Sequence, residues 1–181
     1  MPRHPPTEPT DYAERETLVA ALAKEIQTPS HIGQPIIVEK LATGTQSIIT
    51  DVIWDQWEGC PRELRADIIV DAYEKALGAE YREKISLALG VTVPEAVAMG
   101  LLPYGVRPAR RLAPVQPSEE EYRRAMVDAG ASTLSGARWP ILRCATLEDA
   151  EATQDYLQQI LADSNWIIVQ EVDPGDAASG Q

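Results

Sequence analysis

Only two cysteines and two histidines occur among the 181 residues, and this scarcity limits the chemistry that the chain can support. Cys60 and Cys144 lie far apart, and the sequence holds no CxxC pair, no HExxH helix and no phosphate-binding P-loop. His4 and His31 are too few and too widely separated to build a histidine-based zinc site. We therefore predict two reduced thiols, no metal site and no cofactor.

Long apolar runs are missing as well. Runs such as Ile36–Val38 and Trp166–Val169 fall far short of the roughly 18 residues that a membrane-spanning helix requires. The first residues, Met1–Pro6, contain no apolar stretch of the kind found in a secretory signal. These absences predict a cytoplasmic protein that does not bind membranes.

Basic residues are outnumbered, with 16 of them against 28 acidic residues and a formal net charge of −12. A charge of this sign argues against binding to nucleic acid. Twelve of the 16 basic residues are arginine, and the chain contains no phenylalanine. This residue usage is typical of a GC-rich genome and indicates a bacterial origin. The proportions of hydrophobic residues (44%) and charged residues (24%) are those of a globular protein and exclude a wholly disordered chain.

Proline and charge divide the chain into modules. Residues 103–117 carry three arginines, no acidic residue and four prolines, whereas the regions on both sides are acidic. Prolines at this density favour extended backbone and prevent a continuous helix, so this segment is predicted to connect two modules. The predicted organisation is a disordered tail at 1–10, a module at 11–102, the connector at 103–117, a second module at 118–172 and a disordered tail at 173–181.

The first module is predicted to contain a helix, a β-hairpin and three further helices. Residues rich in β-branched side chains surround a Thr-Gly turn, which is the pattern of a hairpin. Along the second strand, Ile48, Thr50, Val52 and Trp54 alternate and form the predicted core face. The predicted elements are a helix at Tyr12–Gln27, strands at Gln34–Ala42 and Ser47–Trp57, and helices at Pro61–Gly78, at Tyr81–Leu89 and after the capping box Thr92–Glu95.

The second module is predicted to contain a helix, a strand, a helix that Thr146 caps, and a strand. The strands are Arg138–Ala145 and Trp166–Val172, and Pro140 is expected at a sheet edge because it cannot donate to a ladder. A strand, helix and strand joined by short loops predict parallel neighbouring strands with a right-handed crossover. The predicted class is α+β, with the helix–hairpin–three-helix module followed by a small αβαβ module. Each module offers few strands, so separate sheets and one shared mixed sheet both remain open.

The run that joins the second strand to the next helix is the most unusual part of the sequence. Trp54 and Trp57 lie close to Asp51, Asp55 and Glu58, and together they could line an acidic, aromatic pocket. Carboxylates in such a pocket can act as a general acid or base, or bind Mg²⁺. We favour the alternative that the tryptophans belong to the core and the acids are solvated. No histidine, serine nucleophile or glycine loop completes a catalytic set.

Cys60 precedes Pro61 at the predicted start of a helix. Free N–H groups at a helix N-terminus stabilise a thiolate, so a reactive cysteine is one interpretation. Glu58 and Glu63 oppose this effect, and we expect Cys60 to be a small, semi-buried residue instead. Cys144 is predicted to be part of the core.

The connector supplies the predicted partner-binding residues. Tyr104, Arg107, Arg110 and Arg111 combine an aromatic ring with arginines, which protein interfaces favour and which pair with carboxylates or phosphates. Trp57 is also predicted to contact a partner, although it lies outside the connector. The alternative is that the connector lies across the acidic modules of its own chain and that its arginines pair with their carboxylates.

The leading functional prediction is a non-catalytic, cytoplasmic protein that acts through protein–protein contacts, as an accessory subunit, an adaptor or an oligomer. Its partner would be another protein or a second copy, covering the exposed edges at Gln34–Ala42 or Arg138–Ala145. One alternative is a small enzyme that uses the region of Asp51, Asp55, Glu58 and Cys60. A third hypothesis is an acidic protein that blocks a nucleic-acid-binding partner.

Overall fold

The computed structural model describes residues 14–30, 32–108, 119–129, 141–161 and 166–170. Within these ranges the chain forms six helices and six strands, which confirms the predicted α+β class. The elements are α1 (Arg15–Gln27), β1 (Ile36–Leu41), β2 (Ile48–Ile53), α2 (Arg62–Leu77), α3 (Ala79–Arg82), β3 (Ile85–Val91), α4 (Val93–Ala98), β4 (Tyr104–Pro108), α5 (Glu119–Asp128), β5 (Leu142–Cys144), α6 (Leu147–Leu161) and β6 (Trp166–Gln170).

The first sheet has the strand order β1-β2-β3. The antiparallel hairpin of β1 and β2 confirms the sequence prediction, although β2 ends at Ile53 because Asp55–Trp57 form a 3₁₀ turn. β3 pairs with β2 in parallel, and the connection between the two contains α2 and α3.

The prediction of a helix over Tyr81–Leu89 is wrong. Only Ala79–Arg82 are helical, and Ile85–Val91 form β3. Apolar residues at 87, 89 and 91 follow the two-residue period of a strand. Pairing with β2 satisfies the backbone and places Leu89 and Val91 against α4, so the strand prevails over the helical spacing.

The second sheet has the order β5-β4-β6, and its central strand comes from the predicted connector. Tyr104–Pro108 pair antiparallel with both neighbours, so these residues do more than connect. The two outer strands run in the same direction but are not neighbours, because β4 lies between them; the prediction of adjacent parallel strands is wrong. In the described ranges the modules keep separate sheets and share none.

Several predicted features lie outside the described residues. These are the tails at 1–10 and 173–181, Arg110 and Arg111 of the connector, and Pro140. The described part of the strand predicted around Pro140 is β5, and it does occupy an edge of its sheet.

Among the described residues, the core consists of three apolar clusters. The first packs α1 and α2 against one face of the first sheet, and the second packs α5 and α6 against the second sheet. The third lies on the other face of the first sheet, where α4 and Leu102 cover Ile53 and Val91. β2 is therefore buried on both faces, and the predicted core face is only one of the two. Across the described ranges, the structure has no helix that is both long and apolar enough to cross a membrane.

The hairpin register determines which backbone groups of β1 are left for another strand. Ala42 N–H donates to the Ser47 carbonyl at 2.8 Å, and hydrogen-bonded pairs alternate with non-bonded pairs in an antiparallel ladder. The N–H of Lys40 therefore points toward β2, whereas the N–H and C=O of Ile37, Glu39 and Leu41 point away from it, toward the side of β1 that no described strand pairs with.

Proline substitutions test this register. We expect Lys40→Pro to lower the free energy of unfolding by about 1–3 kcal/mol, because it removes a ladder hydrogen bond and leaves a carbonyl unpaired. Leu41→Pro should have a much smaller effect, since Leu41 is 75% exposed and its N–H is not used by β2. Urea denaturation measures both, with Lys40→Gln as the control for the lost side-chain charge. Equal effects of the two proline variants would contradict this register.

Candidate functional site

The two tryptophans of the unusual run belong to the first core cluster. Their rings meet edge to face, with centroids 5.4 Å apart. Trp57 is fully buried and its indole Nε1–H donates to the Val52 carbonyl at 3.1 Å. This fold therefore offers no surface of Trp57 to a partner, which opposes its prediction as a partner-binding residue.

The nearby carboxylates have separate surroundings. Asp51 lies on the other face of β2, where Lys40 Nζ approaches its carboxylate at 3.2 Å. Asp55 accepts hydrogen bonds from Gln34 Nε2 at 2.9 Å and from the Val93 N–H at 3.2 Å, so it joins the loop before β1 to α4. Glu58 is exposed. The tryptophans and these acids do not form one pocket.

Both cysteines are free and buried. Burial raises the pKa of the Cys60 thiol, an effect that the nearby Arg65 only partly offsets. α2 begins at Arg62, so Cys60 lies one residue before the capping position of the helix. Burial likewise raises the pKa of Cys144 to about 11, and Cys144 belongs to the core as predicted. These surroundings favour the thiol over the reactive thiolate at both positions.

Arg65 organises the region around the predicted acidic run. Its buried guanidinium donates to the carbonyl of Cys60 at 3.0 Å, to that of Trp57 at 3.0 Å and to that of Gly90 at 3.2 Å. Nη1 also meets Glu95 Oε2 at 2.7 Å. Arg65 thus ties the turn after β2 to the end of β3 and to α4.

Glu95 belongs to the capping box that begins α4, as the sequence predicted. The Thr92 N–H donates to Glu95 Oε2 at 2.8 Å, and Thr92 Oγ1 accepts from the Glu95 N–H. This backbone hydrogen bond, together with Arg62 and Arg65, lowers the pKa of Glu95 to about 2. The arrangement is a satisfied structural network that holds α4 in place.

An open cleft of about 480 Å³ lies between the two sheets. One wall is built from α1, β1, α2 and α3, and includes Glu25, Ile26, Ile37, Glu39, Tyr73 and Tyr81. The other wall is built from β5 and α6, and includes Leu142, Arg143, Cys144, Glu148 and Asp149. Edge strands of both sheets, β1 and β5, thus border the same cleft.

Glu39 is held by two tyrosines on the first wall. The hydroxyl of Tyr73 donates to Glu39 Oε1 at 2.6 Å, and that of Tyr81 donates to Oε2 at 3.0 Å. The two rings are stacked with centroids 5.6 Å apart, and Thr50 Oγ1 lies 3.0 Å from the Tyr73 hydroxyl. Burial and the bond to Glu39 raise the pKa of Tyr73 and Tyr81, so both hydroxyls keep their protons and act as neutral donors.

The cleft is negatively charged and partly apolar. It is lined by four carboxylates and one guanidinium, for a formal charge of −3. None of the described cations forms an ion pair with Glu39. Isoleucine, leucine and proline side chains supply apolar surface between the charges. These properties suit a ligand with both cationic and apolar groups.

Comparison with known proteins does not identify the chain. No family model, curated protein or solved structure matches it. Nor do the described ranges contain a cluster of three or more His, Cys, Asp or Glu side chains placed to hold a metal ion. Function is therefore inferred from the cleft itself.

The predicted binding and catalytic residues do not coincide with the cleft. Asp51, Asp55, Glu58 and Cys60 are absent from its lining. On β4, Tyr104 packs against the second core cluster and Arg107 is exposed, and neither of them lines the cleft.

Sequence reasoning missed Glu39, Tyr73 and Tyr81. Glu39 is 34 residues from Tyr73 and 42 residues from Tyr81, so no spacing pattern connects them. The only signal was indirect, namely the expectation that the hairpin edge would be covered.

Proposed function

We propose that this protein acts through protein–protein contacts in the cytoplasm, by binding an extended segment of a partner as an added strand on β1. The observation that carries this proposal is the position of the β1 backbone groups that no strand in the described part of the chain pairs with. The outward N–H and C=O of Ile37 and Glu39 belong to residues that line the cleft. A bound segment would therefore gain main-chain hydrogen bonds and side-chain contacts at the same place.

Physical chemistry supports this use of the edge. An open strand presents unpaired donors and acceptors, which act as a template for another strand. In strand addition, main-chain hydrogen bonds supply affinity and pockets for alternate side chains supply specificity. The protein would serve as an accessory subunit or an adaptor, and the cleft would select the segment.

Charge favours a different protein over a second copy as the partner. A second copy would bring an equally acidic cleft against this one, and each chain carries a net charge of −12. Like charges placed directly opposite each other destabilise a strand pair. A basic segment of another protein would be attracted instead.

The enzyme alternative has weaker support. Asp51 pairs with Lys40 and Asp55 holds Gln34 and Val93, so both carboxylates already have structural partners. The buried Cys60 thiol has a raised pKa, which opposes nucleophilic use. Binding at the cleft requires none of these groups.

Amide hydrogen exchange, measured by NMR, tests the proposal with an internal control. The probe is a seven-residue peptide with the sequence serine–valine–serine–lysine–serine–valine–serine. At a peptide concentration ten times its Kd, exchange at the Ile37 and Glu39 amides should slow about tenfold. The amides of Val38 and Lys40 already donate to β2 and should change much less.

N-methylated peptides provide the matched control. In an antiparallel added strand the backbone N–H groups of the valines and the lysine donate to β1, so methylation of these nitrogens blocks it. In a parallel added strand the serine N–H groups donate instead, so methylation of the serine nitrogens blocks that arrangement. One of the two should lose binding, and that result gives the strand direction. Unchanged exchange at Ile37 and Glu39, or full binding by both methylated peptides, would overturn the proposal.

A further inference from the structure

We infer that the added strand carries a lysine or arginine opposite Glu39, with an apolar residue two positions away on each side. This inference rests on the proposed strand addition and names the class of segment that the cleft recognises. It follows from the register of β1, from the chemistry of Glu39 and from the residues beside it.

The register determines the spacing of the recognised residues. Ile37, Glu39 and Leu41 are two residues apart, so their side chains share one face of the sheet. On that face Glu39 meets Tyr73 of α2, and Ile37 packs against the first core cluster. Cross-strand neighbours share a face, so every second residue of the ligand meets one of these three positions. The resulting pattern, apolar–x–cation–x–apolar, reads the same for a parallel and an antiparallel ligand.

Glu39 has the chemistry to bind the cation. An ionised carboxylate offers about four lone-pair positions, and the two tyrosine hydroxyls use two of them. The remaining positions can accept from an ammonium or guanidinium group. Because both tyrosines are neutral donors, they orient the carboxylate without offsetting its charge. Their hydroxyls also hold the Glu39 side chain in one orientation, which lowers the entropic cost of pairing.

The flanking positions are apolar. Ile37 contributes to the apolar lining of the cleft, and Leu41 is 75% exposed at the other end of β1. An apolar ligand residue opposite each of them would remove this surface from water.

The opposite wall of the cleft does not repel a cationic ligand. It carries two carboxylates, Glu148 and Asp149, and one guanidinium, that of Arg143, so its formal charge is −1. A cation that enters the cleft to meet Glu39 therefore finds acidic groups on both sides, which adds to its attraction.

Three peptides that differ only at the central residue test the cation. The serine–valine frame described above carries lysine, norleucine or glutamate at its centre, and fluorescence anisotropy gives each Kd. The lysine peptide should bind about tenfold more tightly than the norleucine peptide, which is a coupling of the size found for charge pairs at interfaces. The glutamate peptide should bind more weakly than both, and added salt should reduce the lysine preference.

Variants of the protein locate the preference. Glu39→Gln should bring the ratio of the lysine and norleucine affinities close to one. The matched control is Glu63→Gln, which removes the same charge from an exposed position on α2 outside the cleft and should leave the ratio unchanged. Tyr81→Phe keeps the Glu39 charge and should preserve the lysine preference, which separates the role of the charge from a general disturbance of the wall.

The outcomes distinguish this inference from the proposed function. If the peptides protect the Ile37 and Glu39 amides but the wild-type protein does not prefer lysine, the cation inference is overturned and strand addition stands. If none of the peptides protects these amides, strand addition itself is overturned. Replacement of the peptide valines with serine should weaken binding to the wild-type protein and to Glu39→Gln alike. If the peptides without valine bind as tightly as the original peptides, the apolar part of the pattern is overturned.

Discussion

Replacing Arg65 with methionine should lower the free energy of unfolding by about 3–5 kcal/mol, the cost of removing the buried partner of an ion pair. The guanidinium is the shared donor for the carbonyls of Cys60, Trp57 and Gly90, and it also meets Glu95. Methionine fills part of the same space but cannot donate, so all four acceptors lose this donor, although Trp57 keeps the Cys60 N–H and Glu95 keeps Arg62 and Thr92. Chemical denaturation followed by tryptophan fluorescence measures the loss.

Arg62→Gln is the matched control, since Arg62 contacts the other oxygen of the same carboxylate at 2.7 Å. The Arg62 side chain is 75% exposed, and exposed pairs contribute only about 0–1 kcal/mol. A similar loss for Arg62→Gln and Arg65→Met would show that burial and the carbonyl contacts do not matter.

The same network predicts a pH dependence. The pKa of Glu95 falls from its ordinary value of 4.5 to about 2 in the folded protein. A lowered pKa stabilises the fold above the unfolded-state value, and this contribution is lost as the pH falls from about 4.5 through about 2. The difference in stability between the wild-type protein and Glu95→Gln should therefore shrink across this window. A difference that stays constant would contradict the role of the ionised carboxylate.

Gly90→Ala should lower the free energy of unfolding by about 1–3 kcal/mol, the cost of overpacking a filled core. A Cβ atom at this position would lie 2.7 Å from Arg65 Cβ and 3.2 Å from Trp57 Cε2. Both neighbours belong to packed elements and cannot move away without disturbing the turn after β2. Thermal unfolding measures the change.

A larger side chain provides the graded test. Gly90→Val should destabilise the protein more than Gly90→Ala, because its extra atoms enter the same filled space between β3 and α2. The backbone at Gly90 is not in the left-handed region, so a loss of stability reports the contact and not the loss of glycine's conformational freedom. Stability that is unchanged or increased in both variants would contradict the close packing seen here.

Local features were predicted correctly where a few neighbouring residues decide the structure. The capping box of Thr92 and Glu95 begins α4, and Thr146 caps α6 through the Asp149 N–H. The hairpin of β1 and β2 forms where alternation and a Thr-Gly turn predicted it. In each case the hydrogen bonds or the turn lie within a short stretch of chain, so the pattern contains the information.

Features that depend on distant partners were missed. Ile85–Val91 suits both a helix and a strand, and only pairing with β2 decides between them. Tyr104–Pro108 follows one proline and ends on another, which predicted a connector, yet it lies between β5 and β6. The role of Arg65 was likewise invisible, because its carbonyl partners have no side-chain signature.

The sequence by itself determined the α+β class, the acidic net charge, the two unpaired thiols and the hairpin with its exposed edge. The tertiary structure alone decided that this edge borders a cleft and that Glu39 faces Tyr73 and Tyr81 there. Composition and short-range periodicity report the secondary-structure propensity of each residue and its tendency to be buried, and both follow from the residue type. A binding site of this kind depends on which distant segments meet, and that is settled by strand pairing and helix packing across the whole chain.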